Sequence, residues 1–252
     1  MKDSQQNTDA LVIIPTYNEK ENISLLIPAI FALEKNFHLL IVDDASPDGT
    51  AGVVEELKKT YPGRLYLRRR VEKLGLGTAY KEGFYFALQR RYQYILTMDA
   101  DFSHAPEDLI RLHNGCDQGA QDYVIGSRYL AGVNVAHWSL HRVLLSYGAN
   151  ALVRCITGMP FQDTTAGFQC YQRKVLETID LEAIRSVGYA FQVELKFLAW
   201  KYGFQGSEIP IVFSSRVKGQ SKMSQSILLE ALMRVPQMKV DSFFKTYHPH
   251  SS

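Results

Sequence analysis

Hydrophobic positions in the first half of the chain form short continuous runs that alternate with longer amphipathic segments. The runs have the length of buried strands and lie at 10–14, 39–42, 65–68, 94–98 and 123–125. Between them, apolar residues recur with helical spacing over about 23–33, 53–59 and 80–88, and a further helix begins at 106–108. Strands that alternate with helices predict an α/β domain with a mostly parallel central sheet and helices on both faces.

Two local signals near the N-terminus predict element boundaries. Pro15 has no backbone N–H group to donate within a sheet, so we expect the first strand to end at Ile14. Asn18 is followed three residues later by Glu21, and this spacing predicts a capping box at the start of the first helix.

The second half of the chain is less regular. A long helical stretch covers about 138–156, a polar turn follows at 162–168, and a second helix runs from about 189 to 200. A strand is predicted over 208–213, and the segment 226–240 is amphipathic. We therefore expect a flexible N-terminus at 1–9, one folded domain over 10–225 and an amphipathic tail over 226–252.

The overall composition is that of an ordinary globular protein. Hydrophobic residues make up 46% of the 252 residues and charged residues 21%, and the net charge of +2 predicts no nucleic-acid partner. The three cysteines, Cys116, Cys155 and Cys170, lack metal-ligand spacing, and their odd number predicts reduced thiols. The sequence predicts neither a signal peptide at the N-terminus nor an apolar run of about 18 residues that would span a membrane.

Acidic residues follow three of the predicted strands. Glu19 comes after the first strand, Asp43 and Asp44 after the second, and Asp99-Ala100-Asp101 after the fourth. In a parallel sheet the carboxyl ends of the strands meet at one edge, where ligands bind, so these acids are expected to converge there. A hard divalent cation held by one or two carboxylates keeps coordination positions for phosphate oxygens of a substrate.

These segments, taken in order, carry a resemblance to a known family. Segments 12–19, 41–50 and 98–101 resemble the signature of inverting glycosyltransferases with the GT-A nucleotide-diphospho-sugar transferase fold. Further segments narrow the resemblance to the catalytic domain of dolichol-phosphate (polyprenol-phosphate) mannose synthases; they lie at 74–80, 126–129, 148–150, 188–192 and 216–223. The resemblance spans about residues 10–225 and implies transfer of mannose from GDP-mannose to a polyprenyl phosphate with inversion.

The resemblance also implies a donor site. The residues that would hold the nucleoside are Pro15, Tyr17, Glu19, Val42 and Asp44. The diphosphate would be carried through Mg²⁺ or Mn²⁺, with the metal bound by Asp99, Asp101 and Ser103 and the donor touched by Asp99 and Ala100. The implied catalytic residues are Asp99, Asp101 and Arg128.

Basic residues complete the implied site. Arg128, Arg216 and Lys222 would bind the donor phosphates, and Arg142 together with Arg216 and Lys222 would bind the acceptor phosphate. The chain departs from the family at Tyr147, where an arginine is expected.

A phosphate acceptor agrees with the lack of a clear acidic base motif in the later part of the chain. A sugar hydroxyl needs a general base, whereas a phosphate monoester with a second pKa of about 6 is already ionised near neutral pH. The later part of the chain has no clear base motif. Asp163 and Glu194 are candidates for a base, but they are expected instead to cap a turn and to order a loop. His104 and His137 are expected to be surface or cap histidines rather than ligands.

Three alternatives stay open on the sequence alone. The same fold could use UDP-glucose or another sugar nucleotide, could use a saccharide acceptor, or could bind a nucleotide sugar without turnover. A lipid acceptor predicts a peripheral protein on the cytoplasmic face of a membrane. Either the 138–156 helix and the tail lie on that surface, or a small membrane subunit anchors the enzyme; the alternative is that both segments pack onto the sheet.

Overall fold

The computed structural model describes residues 8–119, 121–186, 188, 190–214 and 225–247, and for 225–232 it describes the backbone alone. Seven strands form one sheet: β1 (Ala10–Thr16), β2 (His38–Asp43), β3 (Leu65–Arg69), β4 (Tyr94–Thr97), β5 (Tyr123–Ser127), β7 (Gln169–Gln172) and β8 (Gly206–Pro210). Two short strands, β6 (Val135–Ala136) and β9 (Phe213–Ser214), pair separately. The helices are α1 (Lys20–Phe31), α2 (Thr50–Thr60), α3 (Leu76–Gln89), α4 (Asp108–Asp117), α5 (Leu140–Thr157), α6 (Arg173–Thr178), α7 (Ala190–Lys201) and α8 (Gln225–Asp241), with a 3₁₀ turn at Leu181–Ala183.

The sheet has the strand order β3-β2-β1-β4-β7-β5-β8. All neighbouring pairs are parallel except those of β7, which runs antiparallel between β4 and β5. The predicted α/β architecture with a mostly parallel sheet is thus confirmed. The sequence did not predict β7, because this four-residue strand follows a polar turn and begins and ends on glutamine.

The prediction that Pro15 ends the first strand is wrong, since β1 continues to Thr16. Pro15 pairs in register with Val42 of β2, but the pairing of β1 with β4 already ends at Ile13 and Thr97. On the β4 side, Pro15 therefore occupies the position of an edge residue, where a missing N–H group costs no ladder hydrogen bond.

The predicted capping box is wrong as well. Asn18 adopts a left-handed conformation with φ of 54°, and α1 begins after Glu19 without a side-chain cap from that residue. The N–H of Lys20 instead donates to Oδ2 of Asp48 at 3.1 Å, and the N–H of Glu19 donates to Oγ1 of Thr50 at 3.0 Å. The start of α1 is thus fixed by the loop before α2, which lies some 30 residues away in sequence.

Apolar side chains cover both faces of the sheet. One cluster packs α3 and α7 against β1 and includes Ile13, Tyr80, Phe84 and Phe191. The other cluster packs α1 and α4 on the opposite face and includes Ile14, Ile27 and Leu109. The sheet is therefore sealed between two apolar layers, and the polar strand-end loops remain at its edge.

The part of α8 with described side chains packs onto the domain. Val235 and Met238 are buried, Nζ of Lys239 donates to the carbonyl of Thr157 at 3.0 Å, and Arg234 lies 3.7 Å from Glu194. These residues of the tail therefore pack onto the domain, which is the predicted alternative to a position on the membrane surface. Within the described ranges, no helix combines the length and the apolar character that crossing a bilayer requires.

Glycine at position 83 allows α3 to approach β1 closely. A β-carbon there would stand 2.6 Å from Cγ2 of Ile13, whereas one on Gly52 in α2 would meet nothing described within 4 Å. We expect Gly83→Ala to lower the free energy of unfolding by about 1–3 kcal/mol through overpacking. The matched Gly52→Ala should raise it by about 0.5–1 kcal/mol, because alanine favours the helix. Urea denaturation of both variants tests this, and equal effects of the two would contradict it.

Candidate active site

The loops that follow β1, β2 and β4 bring acidic side chains to the carboxyl edge of the sheet. Glu19, Asp44 and Asp101 are all buried there, with 8%, 6% and 4% of their surfaces exposed. Each of these loops contains a non-glycine residue with a left-handed backbone: Asn18, Ala45 and Phe102 have φ of 54°, 58° and 58°. Such strained residues cluster at functional sites, so the expected convergence of acids is accompanied by a second indication of function.

Asp43 and Asp44 fix the loops around them. Oδ1 of Asp43 accepts from the Thr16 hydroxyl at 2.9 Å. Asp44 accepts from Nη1 of Arg70 at 2.8 Å and from the N–H groups of Leu74 and Gly75 at 3.0 and 3.1 Å. The buried carboxylate of Asp44 therefore orders the 70–75 loop at the rim of the predicted nucleoside pocket, and its role toward the nucleoside stays a prediction.

The other predicted nucleoside residues line the same edge. Nζ of Lys73 lies 4.0 Å from the centre of the half-buried Tyr17 ring, and Glu19 accepts from Nδ2 of Asn22 at 2.7 Å. Pro15 and Val42 are register partners at the ends of β1 and β2. Val42 is fully buried, and its role toward the nucleoside stays a prediction.

The Asp-x-Asp segment leaves β4 in a sharp turn. The N–H of Met98 still donates to the carbonyl of Ile13 at 3.1 Å, and the N–H of Ser103 then donates back to Oδ1 of Asp101 at 3.1 Å. Ala100 between the two aspartates is buried, and Asp99 is half-buried. Carboxylate and hydroxyl oxygens of Asp99, Asp101 and Ser103 are the hard ligands that suit Mg²⁺ or Mn²⁺.

Arg128 forms a bidentate ion pair with Asp163, which the sequence did not predict. Nε and Nη2 of Arg128 donate to the two carboxylate oxygens at 2.7 Å each, and its backbone N–H donates at 3.0 Å. Nη2 also donates to the Thr165 hydroxyl at 2.7 Å. Burial alone would raise the pKa of Asp163, but the charge and hydrogen bonds of Arg128 outweigh it and hold that pKa below its usual value. Arg128 thus orders the 163–165 turn.

Neither acid that could have served as a late general base is available for proton transfer. Asp163 is fully buried against Arg128. Glu194 accepts from the N–H and the hydroxyl of Ser186 at 3.1 and 2.6 Å. The expectation that Asp163 orders a turn and Glu194 orders a loop is confirmed.

His104 is not a surface or cap histidine, so that expectation is wrong. It is buried, with its ring stacked on Phe168 at 4.5 Å between centroids. Burial lowers the pKa of His104 to about 4, although the nearby charge of Asp101 opposes this shift. A neutral ring therefore packs beside the Asp-x-Asp turn at neutral pH. Sequence reasoning missed it because an aspartate-rich turn resembles an exposed loop.

The predicted basic residues are only partly described. Arg142 is exposed and lies in the first turn of α5. Its guanidinium carbon lies 4.0 Å from the centre of the Trp138 ring. Tyr147, which replaces an expected arginine, is 47% exposed and contacts Tyr129 edge-on. Arg216 and Lys222 lie outside the described residues.

Comparison with known proteins identifies the family. The model of the family described as glycosyl transferase family 2 matches residues 11–180, which include the acidic edge and the Arg128–Asp163 pair. The chain belongs to glycosyl transferase family 2. This family 2 chain is 46% identical over 227 residues to polyprenol monophosphomannose synthase of Mycolicibacterium smegmatis, covering 90% of this chain and 85% of that one. It is 40% identical over 225 residues to undecaprenyl-phosphate mannosyltransferase of Micrococcus luteus, covering 89% and 91%.

Solved structures of other glycosyltransferases share the fold. A mannosyltransferase from Pyrobaculum calidifontis, in complex with GDP-Man and Mn²⁺, superimposes with a TM-score of 0.60 at 17% identity, covering 96% of this chain and 66% of that one. Glucosyl-3-phosphoglycerate synthase from Mycobacterium tuberculosis, in complex with Mn²⁺, UDP-Glc and phosphoglyceric acid, gives 0.64 at 16% identity, covering 91% and 80%. The predicted GT-A fold and the predicted family resemblance are confirmed.

The Arg128–Asp163 pair generates a prediction about stability and pH. Asp163→Asn leaves a buried guanidinium without its carboxylate, so the free energy of unfolding at pH 7 should fall by about 3–5 kcal/mol. Because the folded-state pKa of Asp163 is depressed, its contribution is complete above the ordinary value of 3.8 and is lost as pH falls through the folded-state pKa. The difference between parent and variant should therefore shrink below about pH 4.

Chemical denaturation between pH 7 and pH 2 measures that difference. The control is Asp180→Asn, which changes an exposed carboxylate elsewhere in the chain. A constant difference between the parent and Asp163→Asn at every pH would contradict the assignment of the ion pair.

Proposed function

We propose that this family 2 glycosyltransferase transfers mannose from GDP-mannose to a polyprenyl phosphate with inversion, which makes it a dolichyl-phosphate-type β-mannosyltransferase. The observation that carries the proposal is the acidic edge with half-buried Asp99 and buried Asp101, in a chain 46% identical to a polyprenol monophosphomannose synthase. Relatives named for undecaprenyl and polyprenol phosphates support a lipid phosphate as acceptor.

The acidic edge suits the departure of a nucleoside diphosphate. Asp99, Asp101 and Ser103 would hold Mg²⁺ or Mn²⁺, which supplies charge stabilisation to the leaving diphosphate. An ion held by two carboxylates and one hydroxyl would keep coordination positions for phosphate oxygens of the donor. Tyr17, Glu19 and Asp44 would hold the nucleoside beside the ion, with Pro15 and Val42 at the strand ends beneath it.

The acceptor supplies its own charged oxygen. In the reaction an ionised phosphate oxygen forms a bond to the anomeric carbon, while the bond from that carbon to the diphosphate oxygen breaks and GDP leaves. No side chain has to take up a proton, which agrees with the engagement of Asp163 and Glu194 in the fold. Arg142, with Arg216 and Lys222, would bind the acceptor phosphate, and Arg128 would place the 163–165 turn beside the leaving group.

The proposal has three alternatives: another donor, a saccharide acceptor, and binding without turnover. Use of UDP-glucose would keep the fold and the mechanism, and solved relatives with that donor share the fold at 16% identity. A saccharide acceptor would need a base, which the commitment of Asp163 and Glu194 disfavours. Binding without turnover is disfavoured by the intact acidic segment.

Transfer of labelled mannose from GDP-mannose to a short polyprenyl phosphate tests the proposal. We expect a lipid-soluble mannosyl product with Mg²⁺ or Mn²⁺ and none with a chelator. Asp101→Asn should lower kcat/KM by about 100-fold or more, since the metal stabilises the transition state by several kcal/mol. Asp117→Asn, at an exposed carboxylate of α4, is the matched control and should stay close to the parent.

If the protein transfers no mannose but transfers glucose from UDP-glucose, the assignment of GDP-mannose as donor is wrong. Full activity in the chelator, or in Asp101→Asn, would overturn the metal assignment.

The acceptor lipid also implies a membrane surface, and α5 provides an apolar face for it. The described part of α5 exposes a broad set of large apolar side chains: Leu140, Leu144, Leu145, Tyr147 and Leu152. The opposite side of the helix, with Asn150, Val153 and Thr157, is buried against the domain. We therefore place α5 on the bilayer that holds the acceptor, with Arg142 at headgroup level. The free thiols, including the exposed Cys155, fit the cytoplasmic face.

Binding to vesicles of phosphatidylcholine and phosphatidylglycerol tests this surface. Leu144→Glu should weaken binding about tenfold, because burying one leucine contributes about 1.5 kcal/mol. Leu25→Glu places the same charge on an exposed leucine of α1 and should bind as the parent does. A parent that does not bind vesicles would contradict this surface and favour a separate anchoring subunit.

A further inference from the structure

A buried amide lies beside the Asp-x-Asp segment and takes no part in the mechanism above. Gln192, in the first turn of α7, is 1% exposed. Among the described residues, none accepts a hydrogen bond from its Nε2. An unpaired buried N–H group costs about 1–3 kcal/mol, so such a group calls for an explanation.

A chain of hydrogen bonds fixes the direction in which this amide points. The Tyr171 hydroxyl donates to Oε1 of Gln169, and Nε2 of Gln169 donates to the carbonyl of Ala166 at 2.6 Å. Nε2 of Gln169 also donates to Oε1 of Gln192 at 2.7 Å. Because Oε1 of Gln192 must face Gln169, its NH₂ group must face the other way.

That other side is the space beside Gly167 and Asp99. A β-carbon on Gly167 would lie 3.8 Å from Nε2 of Gln192 and 3.9 Å from Oδ1 of Asp99. Apart from chain neighbours, these are the only atoms of described residues within 4 Å of that point. The register agrees, because Thr97 pairs with Gln169 in antiparallel β4 and β7, and Asp99 and Gly167 each lie two residues beyond the same end of this ladder.

The walls of this space are held in place from several directions. The Thr97 hydroxyl donates to the carbonyl of Gly167 at 2.7 Å, and Nζ of the fully buried Lys196 donates to the carbonyl of Ala166 at 2.6 Å. The ion pair of Arg128 with Asp163 fixes the start of the same turn. A group that binds here therefore meets a preorganised donor and a preorganised acceptor.

The chemistry of the two facing groups selects their ligand. A carboxylate such as Asp99 only accepts hydrogen bonds, and the NH₂ of Gln192 only donates them. A hydroxyl does both, whereas an ionised phosphate oxygen only accepts, so it could pair with the amide but not with the carboxylate. We infer that Gln192 donates a hydrogen bond to a hydroxyl of the transferred sugar, at the space shared with Asp99 and Gly167. This inference rests on the proposed transfer of a hexose, and it makes Gln192 a determinant of specificity for the transferred sugar.

A series of deoxy donors tests the inference. Gln192→Met should lower kcat/KM with GDP-mannose about 5- to 100-fold, the range for leaving a substrate hydroxyl without its donor. With the one deoxymannose donor that lacks the contacted hydroxyl, the same substitution should change kcat/KM less than about twofold, because the two deletions remove the same bond. Gln172→Met removes a half-buried amide at the other end of β7 and should affect all donors equally or not at all.

Gly167→Ala gives a second test that does not disturb the amide chain. Its β-carbon would meet both neighbours at ordinary contact distance, so the protein should fold, yet the methyl group occupies the inferred sugar space. We expect a raised KM for GDP-mannose with the thermal midpoint within about 2 °C of the parent.

Three results would overturn the inference: equal losses of Gln192→Met with every donor, no loss with any donor, or a rise only in the KM for polyprenyl phosphate, which would place the amide on the acceptor. The proposed function fails separately, if the parent transfers no mannose. If it transfers glucose from UDP-glucose instead, the same comparison with deoxyglucose donors decides the role of Gln192.

Discussion

The site depends on buried carboxylates whose oxygens are satisfied by cations and N–H groups of the protein. Removing a carboxylate from water costs several kcal/mol unless charges and N–H groups replace the water. Asp44 is satisfied by Arg70 and two backbone N–H groups, and Asp163 by Arg128. The contacts of Asp44 order the 70–75 loop, and those of Asp163 order the 163–165 turn. The electrostatic requirement of the acids thus determines the shape of the walls around them.

The loops that carry the acids contain strained backbone conformations. Asn18, Ala45 and Phe102 adopt left-handed conformations, each costing of the order of 1 kcal/mol for a residue with a β-carbon. Contacts between the loops offset this cost: the N–H of Asn18 donates to the Ser46 hydroxyl at 2.9 Å, and Ser46 in turn bonds to Asp43. The sharp turns keep each acid at the edge of the sheet instead of letting the chain run past it.

Much of this architecture follows from the sequence, because buried parallel strands leave continuous apolar runs and their ends predict the ligand edge. What escaped prediction depends on contacts between distant residues. Pro15 is tolerated because β4 ends early, and α1 is capped by Asp48 rather than by its own flanking residues. The Arg128–Asp163 pair joins residues 35 positions apart, so neither residue signals the other locally. Strand β7 is too short and too polar to stand out.

The state of the acids also bears on the chemistry of the acceptor. A hydroxyl acceptor requires a carboxylate with an accessible oxygen and a pKa near the working pH. Asp163 is locked to an arginine that depresses its pKa, and Glu194 is taken up by Ser186. A phosphate acceptor is already ionised and needs no base. Asp163 and Glu194 can therefore serve to stabilise the fold. The group that does face the space beside Asp99 is then the amide of Gln192, which recognises a hydroxyl without exchanging a proton with it.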